Sequence, residues 1–268
     1  MDAAMLGGAF AALVAACASR IAAASARVHE VQLFGAEEDE WLMAHVGSAQ
    51  LLAFFFPVLG ELAPVIHFDD KLPTQTKAAL LGYYQSCIRR HLYAHGGKQT
   101  YVAKNPTFNR RIRWLQEGFP DARFVVMTRP PVEAVPSLVS YIGSVWGFFC
   151  SPRRRCPLAR ALTDLQPAEI AYPLDMLASW PASQRTVLPN AALRKDCRGA
   201  MEGLYRGLGL TLSPEFGSTL ESIVDRSRGQ ASVHHHSVAD TGMSVGEFEA
   251  HFAQSVTRLE RLEHGEWL

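Results

Sequence analysis

Strand-like and helix-like hydrophobic patterns alternate through the middle of the chain. Gln99 to Ala103 is short, apolar and β-prone, and it ends in the polar turn Lys104-Asn105-Pro106. A helix follows, with Phe108, Ile112, Leu115 and Phe119 on one face. Pro120-Asp121 makes a turn, Arg123 to Met127 reads as a buried strand, and Thr128-Arg129-Pro130-Pro131 leads into a helix through Val135, Leu138, Val139 and Ile142. Proline is allowed in that first turn because its N–H groups have no helical acceptor in any case. A further strand at Arg185 to Leu188 precedes a helix from Ala192 to Leu208, whose apolar face holds Leu193, Cys197, Met201, Leu204 and Leu208. Strands alternating with helices predict a parallel sheet with covered faces.

The flanks are helical in pattern. Glu37, Glu38, Asp39 and Glu40 place negative charge at the start of a helix running into Trp41, Leu42 and Met43, where the macrodipole favours it. A long helix is predicted over residues 74–95, with Leu80, Tyr84, Cys87, Ile88 and His91 at helical spacing and Gly96-Gly97 as its stop. Helical pattern resumes beyond Ser213, and a polar loop is expected from Arg226 to Gly242. Residues 3–25 are Ala-rich and apolar. Asp2 stands where a signal peptide carries positive charge and Arg20 interrupts the run, so a helix of the domain is favoured over a leader or anchor.

Composition narrows the function classes. The 268 residues, 48% hydrophobic, carry no repeat or linker, so a single domain spanning 1–268 is expected. Lys plus Arg equals Asp plus Glu at 26 each, which leaves no global field to attract nucleic acid or anionic lipid. Any bound anion must be held by local geometry. The five cysteines form no CxxC pair and are odd in number, which indicates neither a zinc knuckle nor a complete disulfide framework. A reduced, cytoplasmic setting is the default. Free thiols at Cys150 and Cys156 are favoured over a bridge closing the basic turn Arg153-Arg154-Arg155.

In an open α/β sheet ligands sit at the carboxyl ends of the strands, and both predicted turns there carry a cation: Lys104 after one strand, Arg129 after the next. Ser137 adds a hydroxyl near the following helix N-terminus, where backbone N–H groups favour an anion. Arg129 and Ser137 make a reasonable monophosphate clamp. The alternative, equally open on spacing, pairs Arg129 with Glu133 and leaves Ser137 as a helix-surface hydroxyl.

Taken together, Tyr101-Val102-Ala103-Lys104-Asn105-Pro106, Phe119-Pro120-Asp121-Ala122-Arg123-Phe124, Thr128-Arg129-Pro130-Pro131-Val132-Glu133 and Pro136-Ser137 resemble the PAPS-dependent sulfotransferases, particularly their broad bacterial and algal branch. The resemblance implies an α/β, P-loop-NTPase-like three-layer sandwich, helix-rich around a central parallel sheet. It implies PAPS as sulfonate donor and PAP as product, the 3′-phosphate held by Arg129 and Ser137, and Lys104 facing the sulfonate. Arg226 and Arg228 correspond to a late basic loop that closes over the nucleotide. One departure stands out. The family opens with a strand and a Gly/Ser/Thr-rich basic loop around the 5′-phosphosulfate, and none precedes residue 30; Gly7-Gly8 lacks the needed neighbours. A chain short of its opening strand is therefore expected, with a Golgi-type or membrane-anchored setting if the protein extends further upstream.

The transfer needs a base for the acceptor proton, and His67, Asp69, Asp70 and His91 are the candidates. Asn105 has no useful basicity. Three consecutive imidazoles, His234, His235 and His236, do not converge on one point, so no metal is expected. The leading expectation is a sulfotransferase acting on a hydroxyl or amine of a small-molecule or glycan acceptor. A non-catalytic PAP- or PAPS-binding protein is the alternative. A P-loop kinase is disfavoured because no GxxxxGK[ST] occurs.

Overall fold

The structure, a computed structural model, describes residues 38–54, 56, 58–149, 156–227 and 236–267. The expected helix at 3–25, Gly7-Gly8, Cys150, the basic turn 153–155, Arg228, His234 and His235 lie outside them.

The β-branched run Phe124–Thr128 forms β1, and Arg185–Pro189 forms β2. They pair in parallel, in a register that sets Phe124 opposite Arg185 and Thr128 opposite Pro189. A parallel pair requires a long crossover. Here that crossover includes α6 (Pro131–Phe149) and α7 (Ala159–Ala178). Upstream of β1 come α1 (Glu40–Ala44), α2 (Leu59–Ile66), α3 (Phe68–Lys71), α4 (Thr74–Ala94) and α5 (Ile112–Gly118), with a 3₁₀ turn at Pro106–Arg111. Downstream of β2 come α8 (Asn190–Lys195), α9 (Cys197–Gly207), α10 (Pro214–Ser227) and α11 (Val245–Glu263).

Several sequence expectations are met and several corrected. The long helix α4 stops at Gly96 and Gly97, both at positive φ, with the Gly97 amide closing back on the Leu92 carbonyl at 2.8 Å. Gln99 to Ala103, expected as a strand, is irregular and joins no sheet among the described residues. A strand needs a neighbour for its ladder, and among the described residues the sheet contains β1 and β2 alone. The helix expected over 192–208 is two helices. Asp196 leaves helical geometry, and its side chain accepts from the Gly199 amide at 2.9 Å to cap α9. The expected loop from Arg226 starts later, because α10 runs through Ser227, and Val238–Thr241 is a 3₁₀ turn. The sheet is covered on one face; Val125 and Met127, on the other, are 38% and 52% exposed among the described residues.

Two apolar clusters support these elements. In the first, Tyr84 of α4 stacks on Trp114 of α5 with centroids 5.7 Å apart, and Phe68 meets the same indole edge-on at 5.1 Å. In the second, Val135, Val139 and Ile142 of α6 pack with Leu158, Leu162, Phe248 and Phe252. The helix α11 is set by a reciprocal capping box between Ser244 and Glu247. At its far end Glu263 accepts a 2.6 Å hydrogen bond from the buried hydroxyl of Thr128, the last residue of β1. No helix among the described residues is long and apolar enough to cross a membrane.

Candidate functional site

Of the acids before Trp41, Glu37 lies outside the described residues, Asp39 and Glu40 begin α1, and Glu38 to Glu40 also anchor the Lys104 turn. Asp39 and Glu40 are only 8% and 2% exposed, and carboxylates that deep must be hydrogen-bonded. Each of three consecutive acids holds one residue of the segment 101–107. Asp39 accepts from the Tyr101 hydroxyl at 2.7 Å, Glu38 pairs with the Lys104 ammonium, and Glu40 accepts from the Thr107 hydroxyl at 2.5 Å. The remaining oxygen of Asp39 takes the Tyr84 hydroxyl at 2.5 Å, and that of Glu40 takes the Leu51 amide at 3.1 Å. Asn105 tightens the turn by accepting from the Thr107 amide at 3.0 Å. The result fixes the backbone on both sides of Lys104, while its side chain stays 66% exposed against Glu38 at 28%.

Behind this anchor lies a fully buried cation. The Arg111 guanidinium sits over the rings of Phe68 and Phe108, at 4.5 and 4.9 Å, and donates to the Ser48 carbonyl at 2.5 Å. Burial pulls its pKa down to about 10, while the charges of Glu40 and Asp69 pull the other way. Burial, followed by donation to Asp39, raises the Tyr84 and Tyr101 phenols well above their usual range; burial and Asp69 do the same for Tyr172. These phenols stay protonated in the fold above pH about 10, where an unfolded chain would ionise them. Their contribution is therefore present below that pH and lost as pH rises further. In an alkaline titration, the phenolate absorbance of these three should appear only together with loss of near-UV circular dichroism. Ionisation of every tyrosine near pH 10 with the fold intact would contradict the buried pairing.

The residues expected to supply a base have other duties. Asp69 is buried, accepting from the backbone amides of Arg113 and Trp114 at 2.9 and 3.1 Å and from the Tyr172 hydroxyl at 2.9 Å. Burial raises its pKa, and its partners are all structural. Asp70 pairs with Arg113 at 3.1 Å. The pKa of His67 is lowered, first by burial and then by Lys71 and Arg110. His91, expected on the apolar face of its helix, is exposed, with its ring against His95 and Tyr101 at 4.4 and 5.6 Å.

A second constellation occupies the carboxyl end of the sheet. Because Thr128 and Pro189 are register partners, Arg129 and the start of α8 leave the sheet side by side. The Arg129 Nε donates to Glu133 Oε2 at 3.2 Å, so the pairing weighed from the sequence is present. Arg194 of α8 approaches the same oxygen at 3.7 Å and donates through Nε to Asn190 at 2.9 Å. Two guanidiniums thus meet at one carboxylate oxygen, an arrangement that also suits a phosphate. Ser137 lies one turn beyond Glu133 on α6, partly buried. Arg226 is in the last turn of α10.

The profile described as "Sulfotransferase family" matches residues 13–214. The chain belongs to the sulfotransferase family. The fold agrees: the crystal structure of the sulfotransferase STF9 from Mycobacterium avium superposes with a TM-score of 0.69 at 16% identity, over 83% of this chain and 56% of that one. The sulfotransferase-family chain thus spans little more than half the length of that relative, and at this identity the likeness concerns the α/β, P-loop-like fold. No curated protein sequence matches it. Both cations expected after the strand-like segments have a carboxylate partner: Lys104 meets Glu38 and Arg129 meets Glu133. The sequence pattern did not indicate Glu38, which Lys104 contacts from 66 residues away, or Arg194, which reaches Glu133 from the turn after the neighbouring strand. A run of four acids, longer than a helix start needs, was the available signal for the first. Nothing local marked the second.

Proposed function

We propose that this sulfotransferase-family protein transfers a sulfonate group from PAPS to a hydroxyl or amine of a small-molecule or glycan acceptor. The observation that carries this reading is the Glu38–Lys104 pair at the turn whose lysine, by resemblance, faces the sulfonate. It puts a cation and a proton acceptor on the same spot. PAPS, when bound, supplies the transferable sulfonate and a nucleotide leaving group. Lys104 offsets negative charge on the leaving oxygen. Glu38 is the base that takes the proton from the acceptor as its oxygen or nitrogen bonds to sulfur. Asp39 and Glu40 hold the turn so that neither group must be organised during the reaction.

Arg129 and Ser137 would hold the 3′-phosphate. The two guanidiniums already gathered on one anionic oxygen support the fit, as does the position of Ser137 on the first turns of α6. The assignment of Arg226 and Arg228 to the nucleotide rests on the resemblance alone. The direct test is titration with PAP. Arg129→Ala should weaken binding by about 1.5–3 kcal/mol, roughly ten- to 150-fold. Unchanged affinity would reject the clamp, and PAP binding without turnover on any acceptor class would favour the non-catalytic reading.

A further inference from the structure

The carboxyl ends of β1 and β2 carry one cation each, and both cations face the same counter-ion. Arg129 follows Thr128; Arg194 lies on α8, which begins directly after Pro189, the register partner of Thr128. Both approach Oε2 of Glu133, at 3.2 and 3.7 Å. All three side chains retain solvent access, 34% for Arg129, 48% for Glu133 and 64% for Arg194, so an incoming anion can reach them. Asn190 accepts from the Arg194 Nε at 2.9 Å, and Nη2 is the atom that approaches Glu133.

One carboxylate between two guanidiniums leaves a net single positive charge. It also presents an oxyanion where an oxyanion ligand belongs. We infer that Arg194 is a second phosphate-binding arginine of the nucleotide site and that Glu133 is its resident stand-in, displaced when a nucleotide phosphate arrives. This rests on the reading of Arg129 as the 3′-phosphate contact and extends it across the sheet to β2. A phosphate dianion satisfies two guanidiniums better than one shared carboxylate oxygen does. Glu133 meanwhile repels the ligand until it swings aside. The nucleotide must therefore break two ion pairs in order to make two stronger ones, which moderates affinity and assists release of the spent nucleotide.

The experiment is calorimetric titration of the full chain with PAP and, separately, with 5′-AMP, which lacks the 3′-phosphate. Wild type, Arg129→Ala, Arg194→Ala and Glu133→Gln are compared, each checked by circular dichroism. The inference predicts that Arg194→Ala weakens PAP about tenfold or more and leaves 5′-AMP unchanged, while Glu133→Gln tightens PAP several-fold. If Arg129→Ala weakens PAP but Arg194→Ala does not, the second arginine is overturned and the clamp survives. Equal weakening of both nucleotides by Arg194→Ala also overturns it, by reducing Arg194 to a diffuse charge. If wild type fails to bind PAP, or if neither arginine variant changes its affinity, the parent reading fails and takes this one with it.

Discussion

Lys104→Ala is expected to lower the turnover number for sulfonate transfer on the order of 10²–10³-fold, the loss typical when a preorganised donor to developing negative charge is removed. The affinity for PAP should hardly change, because the residues assigned to the 3′-phosphate lie in the other constellation, at the end of β1. Glu38 loses its partner in this variant but is partly open to water, so the fold should not suffer a buried unpaired charge. Lys104→Arg should recover part of the activity, since it restores charge with a different reach. Glu38→Gln should lower turnover on the order of 10²-fold or more, because an amide cannot take the proton of the acceptor, while PAP affinity stays unchanged. The decisive comparison is turnover against PAP affinity in the same preparations. Full turnover in Lys104→Ala would remove the lysine from the chemistry.

The second large effect is on stability. Asp39→Ala deletes the common acceptor of two phenols, Tyr84 and Tyr101, and leaves both hydroxyls short of a partner. At about 1–3 kcal/mol for each unsatisfied group, the variant should be destabilised by roughly 2–6 kcal/mol. Tyr84 is the deeper of the two and should dominate, since its ring is locked against Trp114 and cannot swing out to water. Asp39→Asn keeps an acceptor oxygen and the side-chain shape, so its cost should be much smaller. Denaturant unfolding of the two variants measures the difference. Equal midpoints for Asp39→Ala and wild type would show that the carboxylate does not organise this region.

Both effects depend on contacts of unequal legibility in the sequence. The strand Phe124–Thr128 and the helix after Pro131 were readable because their signals are local: β-branched residues in a row, then prolines where a helix tolerates them. Gln99 to Ala103 carried the same local signal and does not form a strand, because pairing is a property of the neighbour, which a composition pattern does not contain. His91 continued the apolar stripe of α4 by spacing, yet the buried members of that stripe end at Ile88. Asp196 falls inside the helix expected from Ala192 to Leu208 and is instead the break between two helices, since an Asp that caps looks the same in sequence as one facing solvent. The cations of the site were legible from residue type and position after a strand. So was Glu133, four positions from Arg129 along the chain; Glu38 and Arg194 were not, because they reach Lys104 and Glu133 from distant parts of the chain.

The hydrogen bond from Thr128 to Glu263 joins residues 135 positions apart and lies immediately before Arg129. A nascent chain emerging from the ribosome cannot make it until all of α11 has been synthesised, because Glu263 is its final residue. Beyond its pairing with β2, the β1 end that bears the arginine therefore waits for α11 to make this contact, whereas the Lys104 turn can mature as soon as its own acids and tyrosines are out. Order of synthesis thus separates the Lys104 turn from the Arg129 end of β1 in time, and a translation product stalled before α11 would carry the first without the contact that braces the second.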